Sequence, residues 1–206
     1  MSGRHQPVLT IGHSNHSIKA FVELLHQQGV TALADVRSAP FSRFNPQFNS
    51  EALEQSLKPH AIKYVFLGRE LGARSSDPSC YENGRIQYAR LALTKLFQSG
   101  LGRVIQGLQE YRIALMCAEK EPLECHRTLL VARALDERGI AVAHILADGR
   151  VEPHRASLVR LLDLVGLPHQ DLFRTTDQLL AEALVRQEER IAYVDEKLSA
   201  EAREDS

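Results

Sequence analysis

The sequence predicts an α/β fold, a mostly parallel open sheet flanked by helices in a Rossmann-like three-layer arrangement. Three observations predict it. Short apolar, β-branched runs recur along the first 150 residues, segments with apolar residues at helical intervals lie between several of them, and Gly, Asn, Ser or Pro marks the joints.

The first run, VLTIG at 8–12, reads as a strand, and HSNHS after it supplies turn and capping residues. In SIKAFVELLHQQG, Ile18, Phe21, Val22 and Leu25 share one helical face, with Ser17 placed as N-cap and Gly29 as terminator. ALADVRS (32–38) then predicts a second strand, so that strand, helix and strand form a βαβ unit with a parallel pair. IKYVFLG (62–68), IALMCAE (113–119) and VAHILADG (142–149) read as three more strands, and ECHRTLLVARALDERG (124–139) as a helix ended by Gly139. Beyond Pro153, SLVRLLDLVGL and TTDQLLAEALVRQEERIAYVDEKL are helical in period. The expected organisation is an α/β core over 1–150 and a C-terminal helical extension over 151–206, packed on the core or on a partner.

Two stretches between these elements are irregular. SAPFSRFNPQFNS (38–50) mixes Pro, Asn, Ser and aromatics, while GRELGARSSDPSCYENGRI (68–86) is polar, Gly-rich and carries Arg69, Arg74 and Arg85. Long loops of this kind serve as binding loops or lids, or are disordered insertions.

A chain of 206 residues, 44% hydrophobic and 25% charged, is long enough for one sizeable core. No signal-peptide pattern or membrane-length apolar run is present, and three cysteines fit free thiols in a reducing compartment, so the expectation is a cytoplasmic protein with no membrane partner. A net charge of −1 argues against a broadly basic nucleic-acid surface. From Asp171 onward ten acids face five bases, which leaves a mildly basic body compatible with an anionic small molecule or nucleic acid.

Open parallel sheets collect ligands at the carboxyl ends of their strands. There the first strand delivers His13, Ser14, Asn15 and His16, the second Asp35, Arg37 and Ser38, and the 113–119 strand Cys117 and Glu119. Asp35 and Arg37, two apart on extended chain, face one side and either pair with each other or jointly hold a ligand. Cys125 would open a helix, where free N–H groups favour a thiolate, with His126 and Arg127 next to it.

Three readings follow. In the first, Cys125 or Cys117 reacts, His13 and His126 move protons, Glu119 and Asp35 orient cations, and Arg37 and Arg127 hold an anionic substrate. In the second, Cys117, Cys125 and His126 bind a metal, completed by Cys80 or His13, although the spacing lacks the tight cysteine pairing of common zinc sites. In the third, both cysteines are small buried hydrophobes. A non-catalytic nucleic-acid or phospho-ligand module is a rival to the enzyme. The sequence assigns no cofactor and no oligomeric state. It lacks GxGxxG after the first strand, GxxxxGK[ST], HExxH and GxSxG, which removes several large enzyme classes.

TIGHSNHSIKAFVELL, DVRSAPFSRFNPQFN, the LGREL and LGAR pieces, CAEKEPLECHR and RQEERIAYV together resemble the bacterial and archaeal family called domain of unknown function 488. The resemblance implies a compact cytoplasmic α/β protein and brings no assigned reaction. It coincides with the strand-end residues already named and adds Ser42, Arg43 and Tyr88, which join Ser14 as substrate-binding candidates.

Overall fold

The computed structural model describes residues 6–204. Its strands are β1 (Val8–Gly12), β2 (Ala32–Asp35), β3 (Lys63–Phe66), β4 (Tyr81–Glu82), β5 (Arg85–Ile86), β6 (Ile113–Cys117), β7 (Val142–Ile145) and β8 (Val151–Pro153). Six of them form one sheet in the order β3-β2-β6-β1-β7-β8; the first five run parallel and β8 closes the edge antiparallel to β7. This is the mostly parallel α/β sheet that the sequence predicts.

β1 and β2 are parallel but not neighbours, which corrects the simple βαβ pair. β6 lies between them, with Leu9 opposite Ala114 on one side and Leu33 opposite Ala114 on the other. All five β6 residues, IALMC, are buried, so the most uniformly apolar strand takes a place between two others.

Strand alternation divides the core into two layers. On one face, Leu9, Ile11, Leu33 and Met116 meet Phe21 and Leu25 of α1 (Ile18–Gln27) and Leu53 of α2 (Ser50–Leu57). As the sequence suggests, Ser17 accepts the Ala20 N–H at the start of α1, and Gly29 follows its end at φ +64°. The other face is covered by α5 (Lys95–Gly107), by the helical segment 126–136, by α7 (His154–Val165) and by α8 (Thr176–Ile191). Burying each large apolar side chain contributes about 1.5–3 kcal/mol before entropy is charged against it. Leu161, Leu162, Leu179 and Ala183 share this core with Leu115 and Val142, and β8 continues the sheet three residues beyond position 150.

The chain leaves β1 through α1 on one face and leaves β6 through segment 126–136 on the other. Adjacent parallel strands therefore send their loops in opposite directions, which opens a crevice beyond their carboxyl ends.

Two local expectations change. The helix predicted over 124–139 begins with a separate 3-10 turn at Pro122–Glu124, after which Cys125 is extended at φ −138° and ψ 139°. Helix starts at His126, continues as a π-helical stretch over Arg127–Ala132, and ends as a short α6 (Arg133–Asp136). Cys125 is its cap: the backbone N–H groups of Thr128 and Leu129 donate to its carbonyl, and that of Arg127 to its Sγ at 3.4 Å. The stretch 68–86 is not irregular throughout. It holds α3 (Gly68–Leu71) and the β4–β5 hairpin, turned by Asn83 and Gly84 at φ +50° and +77°. That dipeptide is a strong hairpin signal. No helix among the described residues is long and apolar enough to cross a membrane.

Candidate active site

At the end of β2, Asp35 receives a two-pronged ion pair from Arg37, Nε to Oδ1 at 2.9 Å and NH2 to Oδ2 at 2.6 Å. The same guanidinium donates to the Phe48 carbonyl at 2.8 Å, and Tyr64 adds a hydroxyl bond to Asp35 Oδ2 at 2.8 Å. Tyr64 lies on β3, opposite Leu33, which places its ring on the face that carries Asp35. His13 stacks on Phe48 with centroids 4.4 Å apart, and its Nε2 lies 3.2 Å from Arg37 NH1. An arginine can only donate, so Nε2 accepts and Nδ1 carries the proton, donated to the Ser14 carbonyl at 2.8 Å. Burial and the adjacent Arg37 charge hold His13 below the usual histidine pKa, consistent with that neutral tautomer. Burial raises Tyr64, with help from Asp35. Gly68 is required nearby, since a Cβ there would fall 1.8 Å from the Arg37 carbonyl oxygen.

At the end of β6 lies a second group. One donor atom each from Cys117, Glu119, Cys125 and His126 lies within 4.8 Å of all the others. His126 Nε2 donates to the Val36 carbonyl at 3.0 Å, which turns Nδ1 toward the sulfurs, 3.5 Å from Cys117 and 4.0 Å from Cys125. The Cys125 thiol donates to Glu119 Oε2 at 2.8 Å. Glu119 is the solvent-accessible member; both cysteines and His126 are buried.

Behind this group Arg127 is completely buried, its NH1 donating to the Glu119 carbonyl at 2.6 Å and NH2 to the Lys120 carbonyl at 3.3 Å. β1 approaches the same carbonyl so closely that a Cβ on Gly12 would fall 1.8 Å from it. Burial pushes the Cys117 thiol well up, reinforced by Cys125. Burial acts in the same sense at Cys125, but there the Cys117 hydrogen bond, Arg127 and His126 prevail and bring the thiol to about 6. Burial opposes charging of His126, yet the Cys125 bond and the Glu119 charge raise it overall. For Glu119, hydrogen bonds from the two thiols outweigh partial burial and lower its pKa.

Both groups border one cavity of ≈ 460 Å³. Of the residues singled out in the sequence, His13, Arg37, Ser38, Ser42, Arg74, Tyr88, Cys117, Glu119 and His126 line it. Cys125, Asp35 and Arg127 lie behind that lining, whereas Ser14 and the exposed Arg43 are outside it. Arg37 is occupied by Asp35 and Arg127 by backbone carbonyls, so neither presents a free guanidinium. Arg74 does: it lines the cavity with its guanidinium 4.5 Å above the Tyr193 ring and makes no ion pair among the described residues. Cys80 is buried elsewhere, and the fourth member of the thiol group is Glu119 rather than Cys80 or His13. Tyr64, Asn45 and Tyr193 also contribute to the site; Asn45 and Tyr193 lie in stretches quoted above, but nothing in the sequence assigns any of the three a role, because each arrives from a separate segment.

No curated protein and no solved structure matches the chain. A family model described as domain of unknown function DUF488 matches residues 17–134, more than half of the chain, including both the Asp35–Arg37 strand end and the Cys117–Arg127 segment. The chain belongs to the DUF488 family.

Proposed function

We propose that the protein is an enzyme acting on a small molecule with an anionic end, bound in the cavity at the carboxyl edge of the sheet. One observation carries this reading: a free guanidinium, Arg74, borders the same cavity as Cys117, Glu119 and His126. Those side chains can take up, release or share a proton or hold an electrophile, and the guanidinium fork suits a carboxylate or phosphate. A cavity of ≈ 460 Å³ suits a nucleotide-sized or smaller ligand. That size favours the enzyme over a nucleic-acid-binding module, which needs an extended basic surface.

Within this reading the roles divide. Arg74, backed by Tyr193, anchors the anionic end; Ser42 and Tyr88 border the substrate; Glu119, the accessible carboxylate, moves the proton. His13 has both ring nitrogens engaged and therefore positions Arg37 and Phe48 instead of shuttling protons. Three free cysteines fit a reducing compartment such as the cytoplasm.

The test is a panel of phosphorylated and carboxylated small molecules, screened by calorimetry and for turnover. Arg74→Ala is expected to weaken binding of a hit about tenfold, and Glu119→Gln to retain binding while turnover falls about a hundredfold. Equal binding by Arg74→Ala would contradict the reading. So would oligonucleotide binding that weakens steeply with salt and is accompanied by no turnover.

A further inference from the structure

We propose that Cys117, Glu119, Cys125 and His126, the last through Nδ1, form a four-donor centre for one zinc-class divalent cation, with buried Arg127 balancing its charge. The inference gives Glu119 a ligand role in place of the proton-moving role above and otherwise goes beyond the enzymatic reading, because it concerns what the site holds and stands whether or not the protein turns over an anionic substrate.

Geometry is the first support. Bond lengths near 2.3 Å to sulfur and 2.0 Å to nitrogen or oxygen make the edges of a tetrahedral zinc site about 3.3–3.8 Å long. The Cys117–His126 separation is 3.5 Å and the Cys125–His126 separation 4.0 Å. The remaining short edge, 2.8 Å between Cys125 and Glu119, involves the accessible, movable carboxylate and opens by less than about 1 Å to admit an ion. Two thiolates, an imidazole and a carboxylate select zinc-class ions over magnesium or calcium, which prefer all-oxygen shells.

The second support is the orientation of His126. Its Nε2 proton is held by the Val36 carbonyl at 3.0 Å, which leaves Nδ1 as the ring nitrogen that faces both sulfurs. Metal-ligating histidines are held in this way, with the other nitrogen tied to a carbonyl or carboxylate.

Arg127 supplies the third and independent support. It is a guanidinium at 0% exposure whose hydrogen bonds run to backbone carbonyls, and it makes no ion pair among the described residues. A buried cation without a counter-charge is strongly disfavoured. Two thiolates and one carboxylate around a divalent ion leave a net charge of minus one beside it, on the segment whose carbonyl Arg127 grips. Arg37, buried to a similar degree, has its own aspartate in direct contact, whereas the negative charge nearest Arg127 is that of the thiol group itself.

The experiment uses the full chain, untagged and purified without chelator from zinc-supplemented cells. Elemental analysis is expected to find about one zinc per chain. The cobalt-substituted protein is expected to show thiolate-to-metal charge transfer and the intense visible bands of a tetrahedral centre. Cys125→Ser and His126→Ala should each lose the metal, whereas Cys80→Ser should keep it. A variant that does not fold is replaced by stripping the wild-type protein with a chelator: Cys117 and Cys125 should then become open to a thiol reagent, and added zinc should protect them again. A folded wild-type chain with no bound zinc and no cobalt spectrum would overturn the proposal, as would thiol labelling unaffected by chelator or zinc. None of these readouts depends on substrate binding, so this proposal and the enzymatic one fail separately.

Discussion

The ends of β2 and β6 lie side by side in the sheet and carry comparable sets of polar residues, yet their charges are arranged in opposite ways. At β2, Asp35, Arg37, Tyr64 and His13 form a closed network: the guanidinium has its carboxylate, and the histidine has a partner at each nitrogen. At β6, four donor atoms converge on one point while the neighbouring guanidinium, Arg127, bonds to carbonyls alone. The first arrangement is a finished structural device that fixes the strand edge. The second has the excess of converging donors expected of a site that holds something.

The largest expected effect lies in the closed network. Asp35→Ala leaves Arg37 buried without its counter-charge and should cost about 3–5 kcal/mol in denaturant unfolding. If Asp35→Ala instead unfolds within about 1 kcal/mol of wild type, the contrast between the two strand ends is lost.

Gly12→Ala comes next. Its methyl would collide with the Glu119 carbonyl, so β1 and the 118–125 loop must part, at about 1–3 kcal/mol. The variant should also show weaker metal retention, because the displaced carbonyl is the one that holds Arg127. Tyr64→Phe removes only one bond to Asp35 and should cost about 1.5–3 kcal/mol at most, leaving the metal content of the protein unchanged.

The mildest probe is pH. On the far side of β1, buried His144 accepts from or donates to Thr10 through Nδ1 at 2.7 Å and contacts His154 Nδ1 at 3.0 Å. Burial lowers both pKa values from 6.5, with His154 and then Arg127 and Arg160 adding to the effect at His144 and Asp136 opposing it at His154. A depressed histidine binds fewer protons folded than unfolded, so stability is complete above the unfolded value near 6.5 and declines as pH falls below it. Urea midpoints should therefore drop through the mildly acidic range, and a His144→Gln, His154→Gln double variant should flatten that decline. A double variant with an unchanged acid limb would assign the loss to other groups.

How much of this was readable in the sequence depends on distance along the chain. β1, α1 and their caps follow from residues 8–29 alone, since periodicity, Ser17 and Gly29 act locally. The insertion of β6 between β1 and β2 does not, because strand order is decided by which buried surfaces fit across a separation of some eighty residues. The same division holds in the site. Asp35–Arg37 and Cys125–His126–Arg127 stand out as neighbours in sequence, and strand-end logic brings His13, Cys117 and Glu119 to their rim. Arg74 and Tyr193 were out of reach as a pair, for one comes from the loop after α3 and the other from the turn after α8. The break at Cys125 was also hidden: a helical apolar pattern continues through it, and only its capping of Thr128, Leu129 and Arg127 shows why the chain is extended there.

The central contrast is tested most directly by X-ray absorption at the metal edge of the purified full-length protein. The account predicts two sulfur scatterers at about 2.3 Å and two nitrogen or oxygen scatterers at about 2.0 Å. A metal shell containing no sulfur would contradict it.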